Sequence, residues 1–310
     1  MIKRLFPTSE FTKNIFTLLT GTTLAQLLAI AAYPILTRLF TPEDFGVFAL
    51  YLGITGIASI AISGRYELAV MLPKSDDDSI HIVLGSVLIA FISSIGLFIF
   101  FYFSNTYIAN LLNSPKLADW ILLMPIPIFM IGTYKSINNW LIRKKAFKKS
   151  SSNKFAQSGT YASGGISLGW FNISGGLIIA DILAKVAINI VGTIQMFNTQ
   201  FTLRQISIAK IKENLIRYSD FPKYNIIPAL MDTGSLMIPY FFINSFYSEE
   251  ITGYVNLTKQ IAYAPLALIS ISVSRVLFET LASKKNNSEP VFKYVISLFY
   301  RLGGIALLYV

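Results

Sequence analysis

The sequence predicts an all-α, polytopic membrane protein built as two six-helix bundles in parallel-type repeat, the second truncated, with about nine spans present. Three observations predict this. The 310 residues are 54% hydrophobic and only 14% charged, with a mean hydropathy of +0.58; a soluble domain averages about 25% charged residues. The apolar residues come in long blocks, and roughly 18 or more in a row read as a membrane-spanning helix. Short strings also recur at a fixed offset of 210 positions.

The elements follow in order. "MIKRLFPTSEFTKN" is polar for too long to be a cleavable signal, and no small-residue cleavage site follows a short apolar core. The first span is Phe16–Leu36, with Arg38 in its last turn, where a cation suits the negative end of the helix dipole. Phe45–Ser63 is the second. Its start is written in "TPEDFG": Thr41 fits the N-cap, Pro42 the first helical position, and Thr41-x-x-Asp44 a capping box. Asp76-Asp77-Asp78 reads as a solvated loop leading into the third span, Ile80–Phe103. Its D-x-D string resembles metal-dependent glycosyltransferases, yet no nucleotide-binding domain surrounds it.

Trp120–Ile137 is the fourth span. Phe155–Phe171 and Ser174–Phe197 are the fifth and sixth, split around Trp170-Phe171-Asn172. Gly165-x-x-x-Gly169 suits close helix packing. Asn225–Phe246, Thr252–Val273 and Val291–Val310 are the seventh to ninth, with Ser248-Glu249-Glu250 placing acids before the eighth as Glu43-Asp44 do before the second. Pro34, Pro125, Pro127, Pro228, Pro239 and Pro265 fall in or near spans, where kinked helices are tolerated.

Orientation follows from the cations. With the N-terminus inside, nineteen of the 26 Lys and Arg fall in inside segments, and only Arg38 and Lys116 in outside loops. Basic residues collect on the cytoplasmic side, so the net charge of +10 marks topology rather than nucleic-acid binding. The basic run Arg143–Lys149 is a topology determinant, with anionic lipid head groups as its other reading.

The repeat pairs "SEFTKNI" at Ser9–Ile15 with "SDFPKYNI" at Ser219–Ile226, Lys13 with Lys223, and Arg65 with Arg275, each 210 apart. A weaker match pairs "TPEDFGVFALY" with "YSEEITGYVNL", where Gly46 and Gly253 differ by 207. Six spans per unit is even, so both units cross in one sense, as in transporters with parallel repeats. The bundles divide at 1–203 and 204–310. Two full units need roughly 420 residues, twice the offset, so the chain reads as a C-terminally truncated piece.

Charges inside spans are costly and mark pathways by default. Asp181 and Lys185 lie one turn apart in span six, and Asn189 and Thr193 continue the stripe. The pair serves either the pathway or helix-to-helix adhesion. Asp232 sits in span seven, Lys259 in span eight and Arg301 in span nine. With Arg38, which lies at a cavity mouth if spans one and two line one, these six are the candidate cavity residues. There is no cysteine and a single histidine, His81. That excludes disulfides, thiol catalysis and paired-His metal sites. No G-x-x-x-x-G-K-[ST] phosphate loop is present, and neither a metal nor a cofactor is expected.

"PILTRLFTPEDFGVFALY", "RYELAVMLP" at Arg65–Pro73 and "FPKY" at Phe221–Tyr224 resemble the bacterial polysaccharide repeat-unit flippases, the Wzx-like exporters of O-antigen and capsule units within the multidrug/oligosaccharidyl-lipid/polysaccharide (MOP) exporter superfamily. The resemblance implies two bundles around a central cavity with alternating access, in the bacterial inner membrane with a cytoplasmic N-terminus. It implies an undecaprenyl-pyrophosphate-linked oligosaccharide as cargo, carried without ATP and with H+ or Na+ as coupling cation, among membrane lipids and beside polysaccharide polymerase machinery. Lys185, Lys259 and Arg301 would then meet the pyrophosphate. Two other classes remain open. A drug/cation antiporter of the same superfamily wants acids deep in the first half, where Asp181 is the only one and has Lys185 beside it. A membrane-embedded polysaccharide enzyme wants large loops or His and acid clusters, which are lacking.

Overall fold

The computed structural model describes residues 10–199, 201, 206–262 and 296, with side chains from residue 21 onward. The ninth expected span, Arg301 within it, and the eighth beyond residue 262 lie outside the described residues. Among the described residues the chain is helical and contains no strand. The helices are α1 Glu10–Leu39, α2 Pro42–Ala61, α3 Asp76–Leu111, α4 Ala118–Ile121, α5 Pro125–Arg143, α6 Phe147–Trp170, α7 Gly176–Phe197, α8 Ile208–Arg217 and α9 Asp220–Phe246. A further helix, α10, is described over residues 249–262. A 3-10 helix at Tyr66–Met71 joins α2 to α3.

The local chemistry expected at α2 is present. Thr41 accepts from the Asp44 backbone N–H, and the Asp44 carboxylate accepts from the Thr41 N–H at 3.0 Å. Ser75 caps α3, its hydroxyl accepting from the Asp78 backbone N–H at 3.1 Å. The acids Asp76–Asp78 therefore form the first turn of α3 rather than a loop, where carboxylates suit the helix N-terminus.

The described residues do not confirm nine spans. Five helices are long and apolar enough to cross a membrane, or six if the bent α4–α5 pair counts as one. That pair corresponds to span four and bends by 56°. Pro125 and Pro127 cause the break, because proline lacks the N–H that a continuous helix requires. Span five lies in α6, whose Ser, Asn, Gln and Lys residues make it too polar to qualify by composition. The split before span six is real: α6 ends at Trp170, and Asn172 and Gly175 turn the chain with φ of 51° and 66°.

α6 packs along α1 in the same sense, from Gly21 opposite Ser151 to Leu39 opposite Gly169. Gly165 and Gly169 admit Leu36, Leu39 and Phe40, as the G-x-x-x-G spacing anticipated. The main core gathers Leu36, Phe45, Phe48, Tyr51, Ile121, Met124, Ile128 and Leu177 from α1, α2, α4, the α4–α5 turn, α5 and α7. The repeat offsets reappear in the helix starts. α9 begins 210 positions after α1. Residues 42 and 249, the starts of α2 and α10, differ by the 207 that separates Gly46 from Gly253.

Candidate functional site: a buried ion pair and a sealed helix crossing

α7 carries the polar stripe inward and its apolar residues outward. Lys185 and Asn189 are buried, while Leu183, Ile190 and Ile194 are exposed. A helix in lipid solvates aliphatic side chains outside and must satisfy polar ones against protein. Asp181 accepts from the Lys185 ammonium and from the Tyr51 hydroxyl at 2.7 Å. The Lys185 nitrogen also sits over an aromatic face, 5.4 Å from the Tyr51 ring centroid. Tyr33 and Tyr161 lie within electrostatic reach of the same carboxylate. Asn189 donates to the Met130 carbonyl at 2.9 Å, tying α7 to α5. The sequence spacing thus identified a real cluster, and its tyrosines from α1, α2 and α6 were not legible in it.

The other candidate residues fall elsewhere. Lys259 sits on α10, with its ammonium 5.1 Å over the Tyr240 ring and 3.4 Å from the Leu236 carbonyl. It lines a cavity of about 160 Å³ with Ala49, Leu52, Met237, Asn256 and Gln260. Arg38 is exposed in the last turn of α1, and Asp232 is exposed on α9. Arg301 lies outside the described residues.

A second charged cluster escaped the sequence reading. Glu67, placed by the spans in a loop, is only 2% exposed. It accepts from Ser63 Oγ at 2.6 Å and pairs with Arg65 at 3.7 Å. Lys135 on α5 donates to the Ser59 carbonyl at 2.9 Å, within electrostatic reach of both charges. Gly64 and Arg65 are both left-handed, each with φ of 61°, which is strained for arginine and turns it back toward Glu67. A lysine inside an apolar block was the available signal for Lys135. Nothing in sequence marked the burial of Glu67.

At the end of the molecule that carries Arg38 and Lys116, α2 and α10 cross in contact. A Cβ at Gly46 would fall 1.9 Å from the Glu249 carbonyl oxygen, and one at Gly253 would fall 1.8 Å from that of Pro42. Each glycine therefore meets the carbonyl one turn before the other, a reciprocal contact between repeat-related positions. Hydrogen bonds reinforce it. Asn244 and Ser245 donate to the carbonyls of Leu112 and Leu111 at 2.6 and 3.1 Å, Ser114 donates to Glu249, and Asn256 donates to the Phe45 carbonyl. Asn244, Thr252 and Asn256 are buried.

These features define the class of protein. It is a multi-pass, all-α membrane protein, and its fold is similar to a solved structure of the inward-facing conformation of a multidrug resistance MATE family transporter of the MOP superfamily. The TM-score is 0.63 at 16% identity, covering 84% of this chain and 63% of that one. The chain therefore spans less than two thirds of that transporter's length. Residues 35–307 match the family described as polysaccharide biosynthesis protein, and the chain belongs to that family. No curated protein matches it.

Proposed function

We propose that the protein is a MOP-type carrier that flips an undecaprenyl-pyrophosphate-linked oligosaccharide from the cytoplasmic to the outer leaflet of the bacterial inner membrane, for O-antigen, capsule or exopolysaccharide assembly. The observation that carries this reading is the buried Asp181–Lys185–Tyr51 cluster in a protein of the polysaccharide biosynthesis family. A lysine facing lipid at mid-span costs on the order of 2.5–3.5 kcal/mol on insertion scales. Lys185 instead turns inward, where Asp181 holds its ammonium ready for an anionic group. A pyrophosphate competes for that ammonium, and Lys259 and Arg301 add cations on its path. The sealed crossing at Gly46 and Gly253 suits an inward-facing state loaded from the cytoplasmic side. Arg38 and Asp232 remain proposed lining residues. The carrier makes and breaks no substrate bond, and a gradient of H+ or Na+ drives it.

The test is genetic. Deleting the gene in a cell without a redundant carrier is expected to trap lipid-linked repeat units on the inner leaflet and strip the surface polymer. Restoration by the intact gene, but not by its Lys185→Ala variant at equal expression, supports the site. Normal surface polymer in the deletion strain refutes the function. The second reading is a drug/cation antiporter, favoured by the tyrosines around Asp181 and by the multidrug transporter of similar fold. It predicts increased drug susceptibility in the deletion strain with the polymer intact.

A further inference from the structure

α8 links the two repeats and is amphipathic, with Ile208, Ile211, Leu215 and Ile216 on one side. Its polar edge is moored to the start of α3. Lys210 pairs with Asp77 at 2.6 Å, Asn214 donates to Asp78 at 3.3 Å, and the Ser207 N–H donates to His81 Nε2 at 3.2 Å. The Asp77 carboxylate also holds the Lys210 pKa above its usual value. Ile211 and Leu215 close against Gly85, and Tyr66 donates to the Leu215 carbonyl at 2.9 Å. Asp77 and Asp78 thus moor α8, while Asp76 pairs instead with Arg143 and Lys144.

Among the described residues, one half of the apolar face has no protein against it. Ile208 is 83% exposed and Ile216 is 63% exposed. Lys212 lies midway between them at helical spacing, so the open stripe reads Ile208, Lys212, Ile216. A groove of about 320 Å³ runs between this stripe and α3, lined also by Leu88 and Tyr66.

Depth places that groove in the membrane. The exposed aromatics Tyr102, Phe103 and Tyr107 on α3 mark one bilayer interface. A hydrocarbon core of about 30 Å spans about 20 residues of helix. Counting back from Tyr102 and Tyr107 puts the other boundary at Ile82–Val87. Gly85 falls within that band and Leu88 just inside it. The open stripe of α8 therefore lies where acyl chains meet head groups, with the Asp77–Lys210 pair toward water.

We propose that the α3–α8 groove is a binding site for an anionic phospholipid of the adjoining leaflet, its acyl chains on Ile208, Ile216 and Leu88 and its phosphate on Lys212. The argument for this occupant is charge complementarity on an apolar floor at the right depth. A lysine flanked by exposed isoleucines extends its ammonium to the head-group layer. This site is separate from the Asp181–Lys185 cluster and does not depend on the transport reading.

The chain has no cysteine, so single cysteines can be introduced cleanly. The full-length protein is reconstituted in vesicles of equimolar phosphatidylglycerol and phosphatidylcholine, and a nitroxide on Ile208→Cys or Ile216→Cys reports depth. Native mass spectrometry then counts retained lipid. The expected result is a nitroxide at the acyl boundary and retention of phosphatidylglycerol over phosphatidylcholine by roughly fivefold, the effect of one surface lysine. Lys212→Gln is expected to abolish that preference while the nitroxide keeps its depth, which separates lost recognition from a misfolded helix. A nitroxide in water, or shielded by another part of the protein, overturns the proposal. So does equal retention of both lipids, or retention of added undecaprenyl phosphate in place of phosphatidylglycerol.

Discussion

Replacing Gly46 by alanine tests the sealed crossing. The new Cβ would lie 1.9 Å from the Glu249 carbonyl oxygen, whereas ordinary contact begins at 3.4 Å. α2 and α10 must therefore part by about 1.5 Å at this point. The obstacle is backbone, so no side-chain rotation relieves it. Parting also loosens the bond from Asn256 to the Phe45 carbonyl, already 3.4 Å long. Overpacking of this kind costs about 1–3 kcal/mol, borne only by the state in which the helices touch. The gain in helix propensity from alanine is common to both states and cancels. The closed-to-open ratio should fall roughly 5- to 150-fold. The assay uses Gln260→Cys, which lines the cavity one to two turns behind the crossing. Intact cells are treated with a membrane-impermeant maleimide, and the labelling rate is expected to rise by that factor in Gly46→Ala. Gly253→Ala should behave alike, because its Cβ would lie 1.8 Å from the Pro42 carbonyl oxygen. Gly56→Ala, with nothing within 4 Å of its Cβ, is the control and should not change the rate. Equal rates in Gly46→Ala and its parent would refute the reasoning.

Three further outcomes are expected. Lys185→Ala leaves the part-buried Asp181 with Tyr51 as its hydrogen-bond partner, and removing one partner of a buried pair costs up to about 3 kcal/mol here. Its thermal unfolding midpoint should fall, and adding Asp181→Asn should recover much of the loss without restoring surface polymer; a double variant no more stable than the single one would break the argument. Gly175→Ala places a Cβ 1.9 Å from the Trp120 ring at a φ of 66°, so yield and thermal stability should both drop. Unchanged stability there would show that the α6–α7 turn can relax. Reporter fusions after Lys149 and after Lys212 should both signal cytoplasm, and an extracytoplasmic signal at either would invert the assigned orientation.

Much of this molecule was legible in one dimension, for identifiable reasons. The capping box of α2, the turn between α6 and α7 and the inward stripe on α7 depend on residues within a few positions of each other. Apolar length recovered α1, α2, α3, α7 and α9, because a helix in lipid must bury its backbone bonds and present aliphatic side chains over its whole span. By the same criterion α6 falls short, because it meets α1 and α7 through small and polar residues. The criterion also read α4–α5 as one span, since hydropathy does not register where two prolines bend a helix.

The sequence by itself determined the class, the repeat and the polar positions on α7, since each is a property of composition or of spacing along one helix. Only the tertiary structure decided what those positions meet. Tyr51 reaches Asp181 across 130 positions, and Asp77 reaches Lys210 across 133. Glu67 is buried because Gly64 and Arg65 turn left-handed and bring Ser63 and Arg65 to it. The weak match of Gly46 with Gly253 became a reciprocal backbone contact once α2 and α10 crossed. Contacts of this range depend on how helices pack and cross, and that geometry is set by the summed fit of side chains from separate segments rather than by any one of them.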